Sequence, residues 1–166
     1  MMIVATLQDL HAARPRDLSA LLALNNAAKT ETSELDVVGL VRLLDGSFLA
    51  LTTPDATALL IAFDEAAAYE SPNFLWFRAR YARFVYIDRV IVGAPERGRG
   101  IARQLYDALF AAARAAGQTR IVCEVNLDPP NPASDAFHGA LGFAEVGRST
   151  LANGKTVRYL ERAVAS

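Results

Sequence analysis

The stretch Phe84-Val85-Tyr86-Ile87-Asp88-Arg89-Val90-Ile91-Val92-Gly93-Ala94-Pro95-Glu96-Arg97-Gly98-Arg99-Gly100-Ile101-Ala102 decides the fold. Phe84 to Val92 is rich in β-branched and aromatic residues and predicts a strand, which Gly93, Ala94 and Pro95 end. Beyond it, Ile101, Leu105, Leu109 and Ala112 recur at helical spacing, so the glycines sit where a strand hands over to a helix N-terminus. The first N–H groups of a helix lack internal partners and carry partial positive charge, and glycine lets an anion approach the backbone without meeting a Cβ. A Gly-x-Gly at such a junction also suits a plain tight turn. It lacks the third glycine of a dinucleotide fingerprint and the Gly-Lys-Ser/Thr of a nucleoside-triphosphate loop.

The flanking sequence predicts the remaining elements. Met2 to Leu7 reads as a short strand, and Asp17 as the cap of a helix with Leu18, Leu21, Leu22 and Leu24 on its apolar face, running to about Lys29. Ser33, Leu35, Val38, Val41 and Leu44 suggest a second helix stopped near Asp45-Gly46. Phe48 to Thr52 and Ala58 to Phe63 form a hairpin through Pro54-Asp55. Phe74, Phe77 and Tyr81 follow Ser71-Pro72 at helical spacing, with Trp76 or Tyr81 as alternatives for lining a pocket instead of the core. Thr119 to Asn126 is an apolar strand, Asn131-Pro132 starts a helix with Phe137 and Leu141 as its core pair, and Phe143 to Thr150 pairs with Thr156 to Glu161 through Asn153-Gly154. The expected architecture is one α/β domain over residues 1–166, a mixed, mainly antiparallel central sheet flanked by helices.

Composition narrows the class. With 52% hydrophobic and 21% charged residues among 166, the chain can bury an ordinary core, and a net charge of −1 gives no electrostatic case for nucleic acid or an anionic membrane. The single cysteine, Cys123, lies in an apolar run and reads as a buried small hydrophobe rather than a reactive thiol. No signal peptide and no run approaching the ~20 apolar residues of a membrane span is seen, so a cytoplasmic location is expected.

Three blocks in register resemble the acetyl-CoA signature of the GNAT superfamily of N-acetyltransferases. Arg97, Gly100 and Ala102 fill the Gln/Arg-x-x-Gly-x-Gly/Ala loop, Val90-Ile91-Val92 matches the strand before it, and Asn131, Ser134, His138, Gly142 and Phe143 follow the spacing of Asn-x-x-Ala-x-x-x-Tyr-x-x-x-Gly-Phe. Ser134 replaces a small apolar residue, and His138 stands where the family usually has Tyr. The resemblance implies a direct acetyl transfer from acetyl-CoA to a primary amine, of a small molecule or a protein. It implies neither a metal nor a nucleic-acid partner, and is compatible with a homodimer. A non-catalytic acyl-CoA-binding module is the alternative, and a loop for some other phosphate ligand a third.

The resemblance also assigns roles. Arg97, Gly98, Arg99, Gly100, Ile101 and Ala102 would hold the pyrophosphate. Backbone groups of Val90, Ile91 and Val92 would pair with pantetheine and polarise the thioester where the strand splays from its neighbour, stabilising a tetrahedral oxyanion. Asn131 would add a CoA contact or simply cap its helix. An alkyl ammonium near pKa ~10 must lose a proton before it attacks, and Asp88 and Glu124 are the candidate carboxylates, each alternatively a strand-end salt bridge with Arg89 or Arg120. Tyr86 shares a face with Asp88 by the strand period. His138 is the candidate acid for the departing thiolate. It is expected to stand off the core stripe and, at an unperturbed pKa of ~6.5, to be partly protonated at neutral pH.

Overall fold

In a computed structural model, residues 6–28 and 32–164 are described. They run β1 (Gln8–Asp9), α1 (Ser19–Ala27), α2 (Val37–Gly46), β2 (Leu49–Thr52), β3 (Ala58–Asp64), α3 (Pro72–Arg78), β4 (Val85–Val92), α4 (Ile101–Ala115), β5 (Arg120–Asp128), α5 (Pro132–Ala140), β6 (Ala144–Thr150) and β7 (Thr156–Ala163). The strands make one sheet in the order β1-β2-β3-β4-β5-β7-β6. Every neighbour is antiparallel except β4 with β5.

The sequence of β3 explains its central place. From Ala58 to Phe63 every side chain is buried, which requires helices on both faces of the sheet. One face packs Leu59, Ile61 and Phe63 against Leu21 of α1, Leu40 and Leu44 of α2, and Phe74 and Phe77 of α3. The other packs Leu60 and Ala62 against Ile101, Leu105 and Leu109 of α4. Each fully buried Leu, Ile or Phe contributes about 1.5–3 kcal/mol of transfer free energy, so α4 is fixed to the sheet by its apolar stripe while Arg103 and Asp107 stay in water.

Some boundaries differ from those predicted. Residues 2–5 of the predicted first strand lie outside the described residues, and the first described strand is Gln8–Asp9. Asp17 does accept the Ser19 N–H at 2.9 Å, but α1 follows Leu18, which has no side-chain cap bond. The second helix is capped by Asp36, extended in backbone and accepting the Gly39 N–H at 2.7 Å; Ser33 stays outside it and turns toward Arg89. A carboxylate next to Val37 satisfies the orphan N–H groups of that first turn, where a serine further upstream cannot reach.

Two irregularities in β4 shape the molecule. Its parallel pairing with β5 is limited to Val85 with Ile121 and Tyr86 with Val122, beyond which the two strands part. On its other edge, Ile61 pairs with Arg89 while the next residue, Ala62, pairs with Ile87, so Asp88 is an extra residue, a β-bulge. Side chains change phase there. Tyr86 and Ile91 join the core under α1–α3, while Ile87, Val90 and Val92 pack on the α4 side.

Candidate active site

The glycine loop has the geometry that an anion needs. Gly98 and Gly100 have φ of +79° and +75°, a region costly to residues with a Cβ. A Cβ built at either would meet nothing within 4 Å. The glycines therefore serve backbone conformation and keep the approach open, rather than relieving a packed contact. The Gln104 N–H bonds the Gly100 carbonyl at 3.1 Å, and the N–H groups of Ile101, Ala102 and Arg103 ahead of it are the orphan donors of the helix start. A cavity of roughly 290 Å³ lies over them, lined by Val92, Arg97, Gly98, Gly100 and Phe137 among others. This space and these donors fit a pyrophosphate. Arg97 folds back to donate from Nε to the Val92 carbonyl at 3.3 Å, and Arg99 lies 3.6 Å from Glu96.

Where β4 and β5 part, two polar clusters face the gap. Glu124 of β5 accepts from the Tyr86 hydroxyl at 2.8 and 3.0 Å and from Asn73 Nδ2 at 3.1 Å. Burial outweighs these bonds and, with the neighbouring Asp88 charge, pushes its pKa up to about 8. Its carboxyl is therefore mostly protonated at neutral pH. Burial first, and then the nearby Glu124, raises the Tyr86 phenol well above its ordinary value, so Tyr86 remains a donor.

Asp88 is placed otherwise. It accepts from Arg89 Nε at 2.7 Å and from the Tyr69 hydroxyl, and the Asp88 and Arg89 side chains are only 5% and 4% exposed. Arg89 also donates to Asn25 Oδ1 at 2.7 Å and to the Ser33 hydroxyl at 3.3 Å, tying α1 and the segment after it to the cavity wall. Arg120 is engaged elsewhere, 3.6 Å from Glu161. Both candidate carboxylates line one cavity of roughly 350 Å³, together with Tyr69, Asn73, Asn126 and Lys155. Glu124 and Asp88 also line an adjoining cavity of roughly 280 Å³ that reaches Val90, Val125, Asn131 and His138.

His138 reaches that second cavity, but as the buried residue of α5, not as one offset from the core. Its Nδ1 lies 2.8 Å from the Ser134 carbonyl, which can only accept, so Nδ1 carries the proton. Nε2, 2.8 Å from the Tyr106 hydroxyl, is then the acceptor. Burial lowers the imidazole pKa below 6.5, so the ring is neutral at pH 7 instead of partly protonated. His138→Phe should therefore leave a buried Tyr106 hydroxyl without its acceptor and lower stability by about 1–3 kcal/mol in urea unfolding. Its pH–rate profile should keep the wild-type shape below pH 7; a lost limb there would restore an imidazolium acid.

The Asn131 side chain accepts the Ser134 N–H at 3.2 Å as the cap of α5, and it lines the same cavity. Cys123 is 3% exposed with its pKa raised by burial, which keeps it a protonated thiol. Trp76 stacks on Tyr159 at 4.1 Å, and its ring leaves no room for a side chain at Gly147. The Tyr81 hydroxyl donates to Glu161 at 2.8 Å. The cavity's aromatics are instead Tyr69 and Tyr86, and sequence reading also missed Asn73, Arg89 as a cavity residue, and Lys155. Asn73, following Ser71-Pro72 at a helix start, carried the one local hint of a polar group aimed inward.

Comparison with known proteins agrees with this geometry. The model described as "Acetyltransferase (GNAT) family" matches residues 36–143. No curated protein sequence matches the chain. Among solved structures, Ard1 from Thermoplasma volcanium superimposes with a TM-score of 0.71 at 14% identity, covering 99% of this chain and 100% of that one. The ribosomal-protein-alanine N-acetyltransferase from Brucella melitensis gives 0.70 at 21% identity, over 95% and 99% of the two chains. The Salmonella typhimurium protein yncA, solved with its cofactor acetyl-CoA, gives 0.67 at 18% identity, over 99% and 96%.

Proposed function

Because the chain belongs to the GNAT acetyltransferase family, and is an acetyl-CoA-dependent N-acetyltransferase, we propose that it acetylates a primary amine in the cavity beside Glu124, with Glu124 as the base. The observation that carries this is the position of Glu124. One carboxyl with a raised pKa lines both cavities, the one reaching Val90 and the one lined by Lys155, where a proton must leave an amine as it meets a thioester.

Acetyl-CoA supplies the acetyl group activated as a thioester. The N–H groups at the start of α4 hold its pyrophosphate, and the edge of β4 left open beyond Tyr86 offers backbone groups at Val90, Ile91 and Val92 to its pantetheine arm. Donors fixed on that edge stabilise the negative charge that develops on the thioester oxygen, without reorganising during the reaction. An incoming ammonium favours the ionised form of Glu124, which takes its proton. As the C–N bond forms and the C–S bond breaks, the electron pair leaves on sulfur as thiolate and the nitrogen gives up its second proton to water. A thiol pKa of ~8.5 makes that departure feasible without an imidazolium, and His138 with Tyr106 shapes the wall instead of donating. Asp88 is a positioning residue, neutralised by Arg89 and turning Tyr69 toward the cavity. That reading places the enzyme in the cytoplasm, supported by the buried, unpaired Cys123 and by described helices none of which is long and apolar enough to cross a membrane.

The test is thiol release from acetyl-CoA over a panel of primary amines. Release that requires an amine, with its acetamide recovered by mass spectrometry, is the expected result. Acetyl-CoA binding with no release from any amine would overturn the assignment of Glu124 as a base acting on an acceptor.

A further inference from the structure

The cavity beside Glu124 carries one cation that the catalytic account leaves unused. Asp88 and Arg89 cancel each other at 2.7 Å, whereas Lys155 lines the same cavity and pairs with no carboxylate among the described residues. The turn that presents it is well fixed. The Leu151 N–H bonds the Lys155 carbonyl at 2.8 Å, the Gly154 N–H bonds the Leu151 carbonyl at 2.9 Å, and the Asn153 side chain accepts the Lys155 N–H at 2.9 Å.

Register sets the span. Glu124 is opposite Tyr159, and Lys155 immediately precedes Thr156 at the far end of β7. At ~3.3 Å per residue the two backbones are about 13 Å apart along the strand. Glu124 and Lys155 both line the cavity across that span, which leaves room for a compact molecule. The cavity's roughly 350 Å³ is at the low end of small-molecule sites. Ser33 from the segment after α1 and Asn153 from the β6–β7 turn both wall it, which suits a small acceptor better than a peptide laid through a trough.

Building on the acetyl transfer proposed above, we propose that the acceptor is a small free amino acid, its amine against Glu124 and its carboxylate against Lys155. Lys155 is then the residue that sets specificity. An acceptor of this kind meets opposite charge at both ends, and a neutral amide of the same amine would leave the Lys155 ammonium without its counter-charge.

The experiment compares kcat/KM for a series of free amino acids with their amides and with short peptides, in wild type, Lys155→Met and Lys155→Arg. Wild type should prefer acid over amide by about tenfold to a hundredfold, the scale of one charge-assisted hydrogen bond. Lys155→Met should collapse that ratio toward one by raising KM for the acid, and Lys155→Arg should restore most of it. Binding of the N-acetylated amino acid, followed by calorimetry, should weaken in Lys155→Met by a similar factor. Equal use of acids and amides by wild type, a preference for peptides, or an equal loss for acid and amide in Lys155→Met would each overturn this proposal while leaving the transferase reading intact. Release from no amine at all would take both down.

Discussion

Glu124→Gln should lower kcat by about a hundredfold to ten-thousandfold and, at the same time, make the protein harder to unfold above pH 8. The first effect follows from removing the base. In wild type the rate should climb with pH through the region near 8 where Glu124 ionises, and the variant should lack that limb. The second effect follows from linkage. A carboxyl whose folded pKa is raised to about 8 binds a proton in the native state that the unfolded chain has already released above its ordinary value. Stability from this group is therefore full at low pH and falls as pH rises through that window, by about 1.4 kcal/mol for each unit. Gln keeps the carbonyl that accepts from Tyr86 and Asn73 and never ionises, so it escapes this loss. Melting curves at pH 6 and pH 9 check it: the gain of the variant over wild type should appear at pH 9 and shrink at pH 6. A variant with wild-type kcat across the range would remove Glu124 from the chemistry.

Gly100→Glu should weaken acetyl-CoA binding by about a hundredfold or more. Two causes act at once. The residue has φ of +75°, where any Cβ costs about 1–2 kcal/mol, and the new carboxylate would enter the space open to a phosphate, where like charges repel by several kcal/mol. Gly100→Ala separates them, because it carries the backbone cost alone. Calorimetry on both folded variants is the measurement. If Gly100→Glu bound acetyl-CoA as wild type does, the glycine loop would not be where the pyrophosphate lies.

Local chemistry made much of this legible from the chain. The glycine loop, the Asn131-Pro132 helix start and the Asn153-Gly154 hairpin each depend on residues close in sequence, and all three stand where predicted. The parting of β4 from β5 also came out as the family resemblance implied. What sequence could not show depends on distant partners. The protonation of Glu124 rests on its burial and on the Asp88 charge, which outweigh the hydrogen bonds from Tyr86 and Asn73, separated from it by 38 and 51 residues. His138 is neutral because it is buried, its Nε2 held by Tyr106, 32 residues away. The Asp88–Arg89 pair, open in the sequence as a strand-end salt bridge, is buried at a β-bulge that a two-residue period along β4 does not show.

The extra residue at Asp88 makes strand length itself a determinant of function. In an unbroken strand Val90 and Val92 would keep step with Tyr86, and Ile91 with Ile87; here they are out of step by one. Deleting Asp88 would do more than remove a charge. It would close the bulge, so that Ile87 and Arg89 follow one another opposite Ala62 and Ile61 while Val90, Ile91 and Val92 keep their present faces; a residue lost beyond the bulge would instead shift the strand like a zip closed one tooth off. Along this edge a substitution edits one contact, whereas a one-codon deletion anywhere but at the bulge would exchange inside for outside.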